Sequence, residues 1–186
     1  MSKTLRLLLA AVIACVAQTT LVRYVRIAGI APDLMIAMLT ALTTYCGSYG
    51  GFCTGSVMAM LYDASVGYVL AVNLVMYTFI GWAAPYVRMA LKGVLHKLKH
   101  KSFIEMFITC AFMTLIREVV YIGYLFLIGA EQGVITLIRM LMCAAYSGIM
   151  VLPCSWILRA IMTWHPLKGK KTHEDLVQDD ATETRR

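Results

Sequence analysis

Residues 103–129, FIEMFITCAFMTLIREVVYIGYLFLIG, and residues 134–162, VITLIRMLMCAAYSGIMVLPCSWILRAIM, stand on either side of the short turn Glu131-Gln132-Gly133. Each run exceeds the roughly 20 apolar residues needed to cross a hydrocarbon core of about 30 Å. Joined by so few residues, they read as two antiparallel helices in lipid. The pattern continues outward. Further apolar runs cover residues 5–22, 30–46, 51–61 and 66–87. The last has Tyr77, Trp82 and Tyr86 toward its C-terminal end, where aromatics suit the membrane interface. Pro153 is expected to interrupt the 134–162 run. The expected fold class is therefore all-α: a polytopic membrane helix bundle of about six transmembrane helices over residues 1–166, followed by a polar, disordered tail at 167–186.

Composition agrees with this reading. Of the 186 residues, 60% are apolar and 15% charged, against roughly 45–50% and about 25% in an ordinary soluble domain. A globule of this size cannot hide such a surplus. The net charge of +7 is not spread as a nucleic-acid-binding stripe. Lys and Arg cluster at Lys3 and Arg6, from Arg88 to Lys101, and from Arg159 to Lys171. Each cluster flanks an apolar run, as the positive-inside pattern requires. Six spans place the chain in a bacterial inner membrane with both termini and the 88–101 loop in the cytoplasm. Arg23 and Arg26 are then the external basic pair. The 88–101 stretch interleaves cations with Met89, Leu91, Val94, Leu95 and Leu98, as on an amphipathic helix lying against anionic headgroups.

Two alternatives to an anchor helix at residues 5–22 are set aside. The run is long for a secretory signal, and no small-x-small site closes it. Val12-Ile13-Ala14-Cys15 resembles a lipoprotein processing site, yet the apolar run continues past it to Val22 instead of opening into a polar tether. The six cysteines, at 15, 46, 53, 110, 143 and 154, lie in or beside apolar runs without metal-ligand spacing. They read as small packing residues. His96 and His100 have i, i+4 spacing but no companion ligand. No Ser/His/Asp order, phosphate loop or acid–base carboxylate pair is present, so no catalytic residue, cofactor or metal is expected.

Three sets of residues stand out. Gly47, Gly51, Gly55 and Ala59 recur every four residues, with Asp63 continuing the row; such spacing lets helix backbones approach closely, inside the bundle or against a partner helix. Arg117, Glu118 and Arg139 sit at membrane depth, where each charge costs at least about 2.5–3.5 kcal/mol unless it faces protein or water. Arg117 and Glu118, as neighbours on a helix, point about 100° apart and are not expected to pair. The hairpin at Glu131 brings Glu118 toward Arg139, so that pair is the expectation, as a register-fixing contact or as part of a ligand, ion or partner site. Lastly, Pro32-Asp33-Leu34 opens the second run, with Asp33 placed to meet the positive end of the helix dipole.

From Pro32 to Asn73 the chain resembles the rod shape-determining protein MreD family. The resemblance rests on Pro32, Asp33 and Leu34, then on the Gly-rich helix through Gly51 and Gly55 to Asp63, then on Gly67 and Asn73; Ala71 stands where the family has a second glycine. It implies a non-enzymatic membrane scaffold of the cell-wall elongation (rod shape) complex, supporting lateral peptidoglycan synthesis and cell shape. The implied partners are membrane lipids, an MreC-like bitopic protein, the wall-building glycosyltransferase and transpeptidase, and the actin-like MreB filament. It also implies a likeness to the S component of energy-coupling-factor transporters. This supplies a second expectation, a substrate-binding subunit of a vitamin-type transporter. Its cavity residues would be Asp63, Tyr68, Asn73 and Glu118, and Ala10 and Ala14 would give the small-residue spacing for docking.

Overall fold

Each apolar run becomes helix. The computed structural model describes residues 3–26, 29–66, 70–94, 101–129 and 133–163. Five helices account for most of them: α1 Lys3–Thr20, α2 Leu34–Val66, α3 Leu70–Val94, α4 Lys101–Leu127 and α5 Val134–Thr163. No strand occurs among the described residues, so the protein is all-helical. The 167–186 tail, residues 95–100 with His96 and His100, the Glu131 turn, Gly67 and Tyr68 lie outside the described residues.

Sequence reading separates the second and third runs at the glycine cluster, and α2 joins them across one non-helical residue, Gly47, at φ 68°, ψ −167°. Positive φ is open to glycine at little steric cost. The bend is a reversal. A Cβ built at Gly51 would lie 2.8 Å from the Thr43 methyl, yet residues eight apart on one straight helix are separated by about 12 Å. The two arms of α2 are therefore antiparallel. The second arm is not short, as the 51–61 run suggests. It continues to Val66 because Asp63, the polar residue that ends the apolar run, is itself buried.

Long-range bonds fix the remaining directions. The Arg6 guanidinium donates to the Met162 carbonyl at 2.5 Å, joining the start of α1 to the end of α5. At the opposite end, the Leu34 amide donates to Gln18 Oε1 at 2.8 Å, and the Asp33 amide donates to Ser147 Oγ at 2.8 Å. With the arms of α2 counted separately, six rods alternate in direction. The arms of α2 occupy the centre and touch all four other helices. Met35, Ile36, Leu39, Leu42, Met58, Tyr77 and Met113 are fully buried there.

Two details differ from the sequence reading. Pro153 does not interrupt the last helix, which runs unbroken from Val134 to Thr163. The 88–101 stretch does not begin a separate surface helix, because α3 continues through Arg88 and Lys92 to Val94. Lys92 in its last turn complements the negative end of the helix dipole.

The apolar interior also holds polar groups, while large apolar side chains face outward. Asp33, Thr40, Thr43, Asp63, Glu105, Thr114 and Ser147 are buried, while Leu8, Phe79, Trp82, Phe126, Ile135 and Trp156 are exposed. Among the described residues two stretches, Val72–Val94 and Ile135–Thr163, are long and apolar enough to cross a membrane, where the sequence reading expects about six.

Candidate functional site

Asp33 is the centre of the polar interior. It precedes the first residue of α2, and its Oδ1 accepts the Ile36 amide at 3.0 Å, the N-cap bond that satisfies an orphan donor of the first turn. Its Oδ2 faces the other way, accepting the Tyr77 hydroxyl at 3.2 Å and meeting Arg117 Nη1 at 2.6 Å. One carboxylate thus ties α2 to α3 and α4. The Arg117 guanidinium lies 5.8 Å from the centre of the Tyr77 ring, within cation–π range. Tyr62 meets the same ring edge-on at 6.3 Å.

The expected charge pairing is corrected here. Arg117 and Glu118 do pair, with Nη1 to Oε1 at 3.2 Å. The 100° offset between neighbours is overcome because Asp33 draws the guanidinium inward and the long side chain spans both carboxylates. Glu118 and Arg139 form no ion pair; Arg139 instead reaches the Gly29 carbonyl at 3.5 Å. Sequence reasoning gave Asp33 only its dipole role, treated Tyr77 as an interfacial aromatic, and did not single out Glu105. Tyr77 is fully buried, and Glu105 pairs with Arg88 at 3.7 Å near the opposite end of the bundle. Glu105 inside an apolar run was the signal that could have revealed that pair.

The remaining motif residues join the same half of the molecule. Asn73 Nδ2 donates to Asp63 Oδ1 at 2.8 Å, linking the end of α2 to the start of α3. Pro32 and Leu34 are buried beside Asp33. In the glycine row, a Cβ at Gly51 would strike the carbonyl oxygen of Gly81, and one at Gly55 would strike that of Tyr77. Both glycines therefore serve close packing of α2 on α3. Ala59 is buried one turn further on, and Gly47 makes the bend.

Above the Asp33–Arg117 pair opens a cavity of about 670 Å³, lined in part by Gln18, Arg23, Arg26, Tyr62, Arg117 and Glu118. A second cavity of about 370 Å³ lies between α4, α5 and residues 29–31, lined in part by Arg26, Glu118, Tyr121 and Arg139. The two share Arg26, Ala31, Glu118 and Cys143. Among the described residues no group of three His, Cys, Asp or Glu side chains could hold a metal ion. All six cysteines are free thiols. No family model, curated protein or solved structure matches the chain.

Proposed function

We propose that the chain is a six-pass protein of a bacterial inner membrane, with both ends cytoplasmic, serving as a non-enzymatic scaffold of the cell-wall elongation complex. The observation that carries the membrane part is the apolar outer surface of the bundle. Within the two stretches apolar enough to span, only 33% and 22% of the most apolar segment is buried by the rest of the fold, whereas a soluble core helix would be mostly covered. Side chains such as Ile135, Leu141 and Trp156 face outward without a protein partner to cover them. Lipid supplies that cover.

Several charges within the helices are turned inward. Arg117 is paired with both Asp33 and Glu118, and Arg88 meets Glu105. Paired interior charges spare the helices most of the cost of meeting lipid. Arg6, Arg88, Lys92 and Arg159 gather at one end of the bundle, which supports placing that end in the cytoplasm.

The scaffold part rests on the MreD-like motif. Its polar members, Asp33, Asp63 and Asn73, are bonded to neighbouring helices within one half of the bundle. This suits residues that hold a fixed shape rather than react. Of the described residues lining the two cavities, Tyr62 and Tyr121 are the aromatic ones, a thin lining for the vitamin of a transport subunit. Pull-down in mild detergent followed by mass spectrometry tests the reading. It should recover a bitopic partner with the wall-building glycosyltransferase and transpeptidase. Recovery of a nucleotide-driven transport module in their place would reject it.

A further inference from the structure

We propose that the cleft formed by the two joined cavities is a binding site for a phosphate-type oxyanion, held by Arg26 and Arg139 with Arg23 at its rim. Four arginines line it against two carboxylates, Asp33 and Glu118. Arg117, at the floor, is already matched by both carboxylates at 2.6 and 3.2 Å. The other three arginines have no carboxylate within ion-pair distance among the described residues. Arg139 makes a single long bond to the Gly29 carbonyl. The cleft therefore holds uncompensated positive charge in a concave space, where low-dielectric walls focus the field on an incoming anion.

Guanidinium is suited to this role. It presents five donors in a rigid fork that matches two oxygens of a phosphate at once. The individual volumes, about 670 and 370 Å³, fall within the roughly 300–1,000 Å³ of small-molecule sites. Glu118 limits where the anion sits. With Asp33 it already holds Arg117 and would repel an anion placed there, so the phosphate belongs against Arg26 and Arg139. Arg26 comes from the segment after α1 and Arg139 from the first turns of α5, so one anion would bridge two elements that also meet through bonds from Arg139, Cys143 and Tyr146 to backbone carbonyls and from the Asp33 amide to Ser147. The site is independent of the scaffold reading, since the pull-down can fail while the cleft binds, and the reverse.

The phosphate can be free in solution or belong to a lipid headgroup, and one experiment separates these sources. The full chain, purified in neutral detergent, is titrated with inorganic phosphate at constant ionic strength while its melting temperature is read. In parallel it is incubated with phosphatidylglycerol or with diacylglycerol, which lacks phosphate, and retained lipid is counted by native mass spectrometry. A melting temperature that rises with phosphate assigns a soluble source by mass action. Retention of phosphatidylglycerol but not diacylglycerol, with no response to phosphate, assigns a headgroup. In either case R26Q/R139Q should weaken binding about tenfold or more, R26K/R139K should fall between, and R159Q at the far end should bind as the parent does. If the double variant fails to fold, R139Q alone gives the same reading, because Arg139 is exposed. No response to either probe, or a response undiminished by the arginine substitutions, overturns the proposal.

Discussion

Gly51→Ala adds one methyl group at the tightest point of the bundle. That methyl would run into the carbonyl oxygen of Gly81, and into the Thr43 methyl across the α2 bend at 2.8 Å. The Gly81 obstacle is backbone, so no side-chain rotation clears it, and α3 must move away. Parting two packed surfaces by about 0.5–1 Å forfeits a quarter to a half of each contact's dispersion energy. The loss extends along the seam, since Gly55 meets the Tyr77 carbonyl one turn further on. We expect a cost of about 3 kcal/mol, the upper end of the usual range for overpacking. In a chain of this length that lowers the melting temperature by roughly 6–12 °C. The assay is thermal unfolding in detergent with Gly123→Ala as the control. A Cβ at Gly123 meets nothing within 4 Å, so alanine there should be neutral or slightly stabilising through helix propensity. Gly81→Ala creates the same collision from the other side, so the double variant should cost less than the two singles together. Equal melting temperatures for Gly51→Ala and Gly123→Ala would refute the close-packing reasoning.

Asp33→Asn keeps a good N-cap residue but removes the charge opposite Arg117. It should cost about 2–3 kcal/mol, below the roughly 3–5 typical of breaking a buried pair because Glu118 still faces the guanidinium; a Asp33→Asn/Arg117→Gln cycle with no coupling would argue against the pair. Asn73→Asp sets a second carboxylate against Asp63 at 2.8 Å and should destabilise more than Asn73→Ala, as judged by melting in detergent. The reverse order would mean that the Asn73 amide contributes bulk and not its hydrogen bond. For topology, a reporter joined after Thr163 should be active in the cytoplasm and one inserted at Gly133 should be active outside. Both on one side would exclude the alternating six-rod arrangement as a membrane topology.

The parts of this fold that local pattern controls were legible. Apolar runs gave the helices, and the glycine cluster marked the reversal, because only glycine accepts the backbone angles at residue 47 without strain. The i, i+4 glycine row exposed one side of a close contact, but nothing in α2 names its opposite. Gly81 and the Tyr77 carbonyl become visible only once α3 is laid against it. The polar centre was less legible for the same reason. Asp33 and Arg117 are far apart in sequence, and no periodicity connects a cap residue to a cation in the fourth helix. The rule that helix neighbours diverge misjudged Arg117 and Glu118 because it counts Cβ directions and not the reach of an arginine drawn by a third group. Arg139 was assigned to Glu118 on hairpin geometry, and the two do line one cavity, but Arg139 bonds the Gly29 carbonyl instead of closing an ion pair.

The most direct test of the scaffold claim is depletion of the chain in its native host while cell width and the incorporation of labelled wall precursor are followed. Loss should widen and round rod-shaped cells, lower incorporation along the side wall, and resist rescue by any nutrient supplement. Unchanged cell width and incorporation after complete depletion, with a stoichiometric vitamin-sized molecule in the purified protein, would contradict it.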